Sequence, residues 1–258
     1  DLALFENLQK EAVENIKREL ETSIATEEYR VGQIIKDLLV IAIPITIGAS
    51  IVPIMDYIDL NLVLRRLQYI GYTEIEANNL YGNLKGMAQT LINLPQVFSM
   101  AIAMSLVPAI AEAKAKRQRR ELGEITSSGI RLTLLIGLPA ALGLFVLARP
   151  IIGLLYYRNS AATITNTGNL LSILSFSVIF LTLVQILSAI LQGLGKPIIP
   201  AINLFVGASV KVVLSYTLTA VPSINIYGAA ISTVAAYGIA AILDVIAVIS
   251  YAKVKINV

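Results

Sequence analysis

Blocks of about 20 residues with few or no charges recur along this chain, and that length matches the hydrocarbon core of a bilayer, about 30 Å at 1.5 Å per helical residue. They run roughly over residues 38–64, 87–110, 130–147, 170–191, 198–221 and 227–251. Backbone groups in lipid have no water to bond, so such blocks must fold as helices that satisfy their own N–H and C=O groups. The expected fold is therefore an all-α membrane protein, a six-transmembrane-helix bundle. Composition agrees, with 56% hydrophobic and only 14% charged residues, where a soluble domain carries roughly a quarter charged.

The residues that are missing narrow the chemistry. With no cysteine, histidine or tryptophan, the chain lacks thiolate nucleophiles, histidine bases, disulfides and the usual zinc or haem ligands. No glycine-rich phosphate loop or nucleophile elbow is present. The expectation is a protein that is not an enzyme, with no cofactor and no metal.

Residues 1–34 read as a cytoplasmic segment outside the bilayer and residues 35–258 as the membrane part. Phe5, Leu8, Ala12, Ile16 and Leu20 form one helical stripe, with Glu6/Lys10 and Glu14/Arg18 as i,i+4 pairs on the other side. Thr26 followed by Glu27 and Glu28 resembles a helix N-cap. The chain opens on Asp1 and no secretory signal is visible, which reads as a segment of something longer. Pro44 and Pro53 lie within the first span and each removes one helical hydrogen bond, so kinks are expected there.

Lysine and arginine are uneven across alternate connections: thirteen fall on one side, including the run Lys114, Lys116, Arg117, Arg119 and Arg120, and five on the other. The positive-inside rule makes the first side cytoplasmic and places both ends there, which requires an even number of spans. The basic run reads first as a topology determinant and secondly as a contact for anionic headgroups. Nucleic-acid binding does not suit a run wedged between two spans.

Charges inside spans carry more information, because each is expensive in hydrocarbon and must face protein or water. Lys211 lies past the middle of the fifth span, and two readings stand: a buried ion pair with Asp56 or Asp59, or a cation lining a polar cavity for an anionic substrate. Asp56 and Asp59 share a helix face and could take up protons or sodium. Arg65 and Arg66 follow at the outer interface, while Arg131 and Asp244 read as anchors near span ends. Gly228, Ser232, Ala236 and Ala240 make a small-residue seam for close helix packing, with Gly82/Gly86 as a weaker second one.

Several segments together resemble a known family: Ile54-Met-Asp-Tyr-Ile-Asp59, Val63-Leu-Arg-Arg-Leu67, Leu80-Tyr-Gly82, Ile92-Asn-Leu-Pro95, Ser105-Leu-Val-Pro-Ala-Ile110, Leu134 through Gly143, Ile190-Leu-Gln-Gly-Leu-Gly-Lys-Pro197 and Ile226-Tyr-Gly-Ala-Ala230. In order and spacing they resemble the MOP superfamily of multidrug, oligosaccharidyl-lipid and polysaccharide flippases, in the branch of stage V sporulation protein B and related to lipid II flippases. The resemblance covers roughly residues 35–250.

It implies the C-terminal lobe of a two-lobed MATE-like transporter in the cell membrane, with residues 1–34 as the inter-lobe linker. It also implies alternating access that carries the headgroup of a polyprenyl-diphosphate-linked sugar, or another anionic lipid, across the membrane. Partners would be that substrate, membrane lipids and the other lobe. The cations available for a diphosphate are Lys211, Arg65, Arg66 and Lys85, with Asp56 and Asp59 for ion coupling. Lipid II flippases carry an arginine and a glutamate just before the proline of the second span, where this chain has Thr90 and Asn93, a departure that weighs against lipid II itself as cargo. Alternatives are an ion-coupled exporter of cationic drugs, which would need an acidic cavity, and a non-transporting membrane scaffold.

Overall fold

The computed structural model describes Glu14 and residues 31–252. The amphipathic stripe from Phe5 to Leu20, the Thr26 cap and the terminal Lys253 and Lys255 lie outside the described residues. The chain divides into two compact units, Asp1–Thr46 and Ile47–Val258. The second holds the helical bundle and the charged residues of the spans.

Among the described residues the secondary structure is entirely helical. The helices are α1 (Val31–Tyr69), α2 (Glu74–Gly82), α3 (Gln89–Ala115), α4 (Arg119–Val146), α5 (Ala148–Leu155), α6 (Ala161–Gly193), α7 (Ile198–Leu218) and α8 (Tyr227–Ala252). A π-helical turn, Asn83–Ala88, joins α2 to α3 without a break. Among the described residues, five helical stretches are long and apolar enough to cross a membrane: Glu74–Ala115, Arg119–Val146, Ala161–Gly193, Ile198–Leu218 and Tyr227–Ala252. The last four coincide with the expected third to sixth spans.

The second span begins much earlier than expected. Residues 65–86 read as a connection because Asn78, Asn79, Asn83 and Lys85 depress local hydropathy, yet the chain breaks only at residues 70–73, where Gly71 takes a φ of 105°, and is helical from Glu74 on. Thr73 starts it with a capping box: its hydroxyl accepts from the Glu76 N–H at 3.3 Å, and the Glu76 carboxylate accepts from the Thr73 N–H at 2.9 Å. The connection 149–167 is likewise mostly helical. It holds α5, which buries Ala148 and Ile152, and the first turn of α6, capped by Ser160 accepting from the Thr163 N–H at 3.2 Å.

α6 is the hub. Its 33 residues include no charge, and it packs against α3, α4, α5, α7 and α8. One core cluster joins Leu67, Tyr81, Ile92, Ile152, Leu171, Leu174 and Ile226; a second joins Ile110, Ile130, Ile186, Ile190 and Val248. The outward faces are apolar too: Val97 and Phe98 on α3, Leu135 and Leu142 on α4, Ile202 and Phe205 on α7, and Ile242, Ile246 and Ile249 on α8 are all exposed. Such a surface belongs in lipid.

The basic run leading into α4 is exposed, yet three of its side chains have partners. Lys114 donates to the Leu194 carbonyl at 2.6 Å, capping the end of α6, and Lys116 and Arg120 pair with Glu112 and Glu124 one turn away.

The seam on α8 packs as its small residues allow. A Cβ built on Gly228 would sit 2.7 Å from the Leu218 and Thr219 backbone, and one on Gly207 of α7 would sit 2.5 Å from the Ala236 carbonyl oxygen. The expected second seam does not form among the described residues: at Gly82 and Gly86 an added Cβ meets none of them within 4 Å. Gly207→Leu is therefore expected to lower the thermal midpoint of the purified protein sharply, while Gly82→Ala is expected to hold or raise it, since a helical glycine costs about 0.5–1 kcal/mol against alanine. Equal effects at the two positions would contradict this packing.

Candidate functional site

Three of the in-span charges, Asp56, Asp59 and Lys211, converge, and Lys85, read from sequence as part of the connection before the second span, joins them. α1 presents Asp56 and Asp59 three residues apart, the π-helical turn presents Lys85, and α7 presents Lys211. Lys85 Nζ lies 2.7 Å from Asp56 Oδ1 and 3.8 Å from Asp59 Oδ2, and Lys211 Nζ lies 2.9 Å from that same Asp59 oxygen. The Ser215 hydroxyl donates to Asp59 Oδ1 at 3.3 Å and is 2.8 Å from the Ser232 hydroxyl of α8. Two acids thus face two bases, and the cluster is formally neutral.

Burial grades along it. Side-chain exposure is 3% for Asp59, 12% for Lys211, 24% for Lys85 and 54% for Asp56. Asp59 and Lys211 form the closed end, where neither charge could remain without the other. Lys85 and Asp56 form the open end, where either can exchange its partner for water.

The π-helical turn has a local cause and a local effect. The Gln89 N–H reaches back five residues to the Leu84 carbonyl. The Thr90 hydroxyl donates to the Gly86 carbonyl at 2.9 Å, adding a side-chain bond within the widened turn. Such turns recur at functional positions because one extra residue re-aims a side chain. Here the residue inside the turn is Lys85.

The open end of the cluster borders a cavity of about 750 Å³ walled by α1, α3, α6, α7 and α8. Asp56, Lys85 and Lys211 stand at its wall. Much of the rest is polar and uncharged: Gln89, Asn93 and Gln96 on α3 face Gln185, Ser188 and Gln192 on α6, and the Gln96 amide donates to the Gln185 side-chain oxygen across the cavity wall at 3.2 Å. Met55, Met100, Met104, Leu181, Val184 and Leu204 are among the apolar residues that make up about half of the wall, and Tyr237 and Thr233 of α8 also reach it. These amides were missed in the sequence, although spacings of four and three place 89, 93 and 96 on one face of α3 and 185, 188 and 192 on one face of α6.

The arginines are elsewhere. Arg65 is exposed, and Arg66 stacks over the Tyr216 ring at 3.2 Å and near Tyr69 at 5.5 Å. Neither lines the cavity. Asp244 departs from the sequence reading as an end anchor: it is wholly buried and accepts from the Asn203 amide at 2.8 Å.

An apolar-faced helical bundle with charged side chains gathered inside it is that of a multi-pass membrane protein. Residues 35–254 match the family model for the lipid II flippase MurJ, and the chain belongs to that family. It is 31% identical over 88% of its length to the membrane protein YabM of Bacillus subtilis, and 27% identical over 78% to stage V sporulation protein B of the same organism. It is 25% identical over 70% to the lipid II flippase MurJ of Bacillus subtilis. The chain spans 40%, 38% and 33% of those three proteins. Its fold matches a MOP superfamily transporter from Pyrococcus furiosus, with a TM-score of 0.63 at 18% identity, over 84% of this chain and 45% of that one.

Proposed function

We propose that this chain is one lobe of an alternating-access flippase, and that its cavity holds the headgroup of a lipid-linked saccharide as it crosses the cytoplasmic membrane. The observation that carries the reading is the division of a single cavity into a lysine-bearing end and an amide-lined wall. Lysines suit a diphosphate, and amides, which both donate and accept, suit sugar hydroxyls.

An anion reaching the cavity competes with Asp56 for Lys85. Asp56 is the most exposed member of the cluster, so its release into water is the least expensive step available. Lys211, held by Asp59, stays as a fixed positive neighbour. Arg66, engaged by two tyrosines, contributes little to the headgroup. A cavity with two bases and one acid at its wall is a poor attractant for cationic drugs, so the saccharide reading is preferred over the drug exporter.

The first span, residues 38–64, completes six, with both ends cytoplasmic and residues 1–34 linking to a second lobe. The test is flipping of a polyprenyl-diphosphate oligosaccharide in proteoliposomes containing the whole transporter. Flipping above protein-free vesicles supports the reading; a rate equal to theirs overturns it.

A further inference from the structure

The buried acid on α8 is not used by the cavity. Asp244 is 0% exposed, its Oδ1 accepts from the Asn203 amide of α7 at 2.8 Å, and its Oδ2 has no hydrogen-bond partner. It sits at one end of a regular seam. Positions 203, 207, 211 and 215 of α7 form a four-residue stripe, as do 232, 236, 240 and 244 of α8. Ser215 meets Ser232, Gly207 meets Ala236 and Ala240, and Asn203 meets Asp244.

Among the described residues, the helices packed around Asp244 bring no positive charge to it. α8 packs against α7 and α6. α6 carries no charged residue at all, and the sole charge on α7 is Lys211, which is committed to Asp59. Asp244 is the sole charge on α8, whose other titratable groups are Tyr227, Tyr237 and Tyr251. Lys196, in the turn before α7, lies over the Tyr251 ring at 5.4 Å. One turn before Asp244, Ala240 and Ala241 pack with Val184; one turn after it, Ala247 and Val248 pack with Ile186, Leu187 and Ile190. No ion pair reaches Asp244 among the described residues.

An ionised carboxylate with one amide bond in an apolar seam would be far more costly than a neutral acid with an unpartnered hydroxyl. A metal cation would need several oxygen ligands, and the seam supplies the Asp244 carboxyl and the Asn203 amide. A single proton needs no more than Oδ2.

We infer that Asp244 is a proton-binding site inside the bundle, separate from the charged cluster at the cavity, and that it holds one proton at neutral pH in the packed α7–α8 seam. The inference goes beyond the flippase reading and does not depend on it. The test is infrared spectroscopy of the whole protein in membranes at neutral pH. A protonated-carboxyl C=O band is expected that disappears in Asp244→Asn and moves to higher frequency in Asn203→Ala, because losing the amide donor strengthens that C=O bond. The Asn203→Ala arm reports on Asp244 even if Asp244→Asn fails to assemble. Absence of the band in the unaltered protein, its survival in Asp244→Asn, no movement in Asn203→Ala, or its loss on adding sodium at constant pH would each overturn the assignment.

Discussion

Replacing Asp59 with alanine is expected to destabilise the bundle by about 3–5 kcal/mol, the usual penalty for stranding one member of a buried ion pair. Asp59 is the junction of the cluster, serving Lys211, Lys85 and Ser215 from two oxygens. Lys85 keeps Asp56 when Asp59 is gone, but Lys211, only 12% exposed, has no other carboxylate at salt-bridge distance among the described residues. The loss should therefore reside in Lys211. A double variant, Asp59→Leu with Lys211→Met, removes both charges and should recover much of the lost stability, since a buried pair replaced by apolar groups of similar volume is often neutral. Thermal midpoints in one detergent decide it. If the single and double variants melt together, the pair is not what holds α7 against α1.

Lys85→Gln is expected to leave the thermal midpoint near that of the parent protein and to slow flipping of a lipid-linked saccharide by ten- to a hundredfold. Lys85 is partly hydrated and its partner Asp56 is more than half exposed, so neither is stranded by the change. What disappears is one charge-assisted hydrogen bond to the substrate anion, worth about 1.5–3 kcal/mol. Asp56→Asn should act in the opposite sense on binding, because it frees Lys85 from competition, and affinity for the saccharide lipid should rise. The KM of flipping reads both. Parallel losses in the two variants would mean that the Lys85–Asp56 pair is structural and that the anion binds elsewhere.

Much of this arrangement is legible in the amino-acid sequence. The later spans announce themselves because lipid forces length and apolarity together. Lys211, Asp56 and Asp59 stand out for the complementary reason, that charge within a span needs a partner, and the ion pair foreseen for Lys211 is the one formed with Asp59.

The features that stay hidden depend on pairing between distant helices. A hydropathy window cannot see that Thr73 caps a helix running through Asn78, Asn79 and Asn83, or that this helix widens by one residue at Lys85. The amides of Gln89, Gln96, Gln185 and Gln192 are uncharged and lower an average only slightly, so they do not interrupt their spans, although their spacing puts them on single faces. Asp244 reads as an end residue because span boundaries blur by several positions. Its burial depends on Asn203, 41 positions away in the sequence. Gly82 and Gly86 have the spacing of a seam without, among the described residues, a neighbouring helix close enough to use it.

Whether this cavity holds the saccharide headgroup can be asked directly, because the chain contains no cysteine. Gln96→Cys places the chain's single thiol on the cavity wall, where a water-soluble methanethiosulfonate reagent can reach it. Its labelling rate in the whole transporter, otherwise free of cysteine, should fall several-fold when a polyprenyl-diphosphate oligosaccharide is added and change little with the unglycosylated polyprenyl phosphate. Labelling at an unchanged rate under saturating saccharide lipid would mean that the headgroup does not enter this cavity.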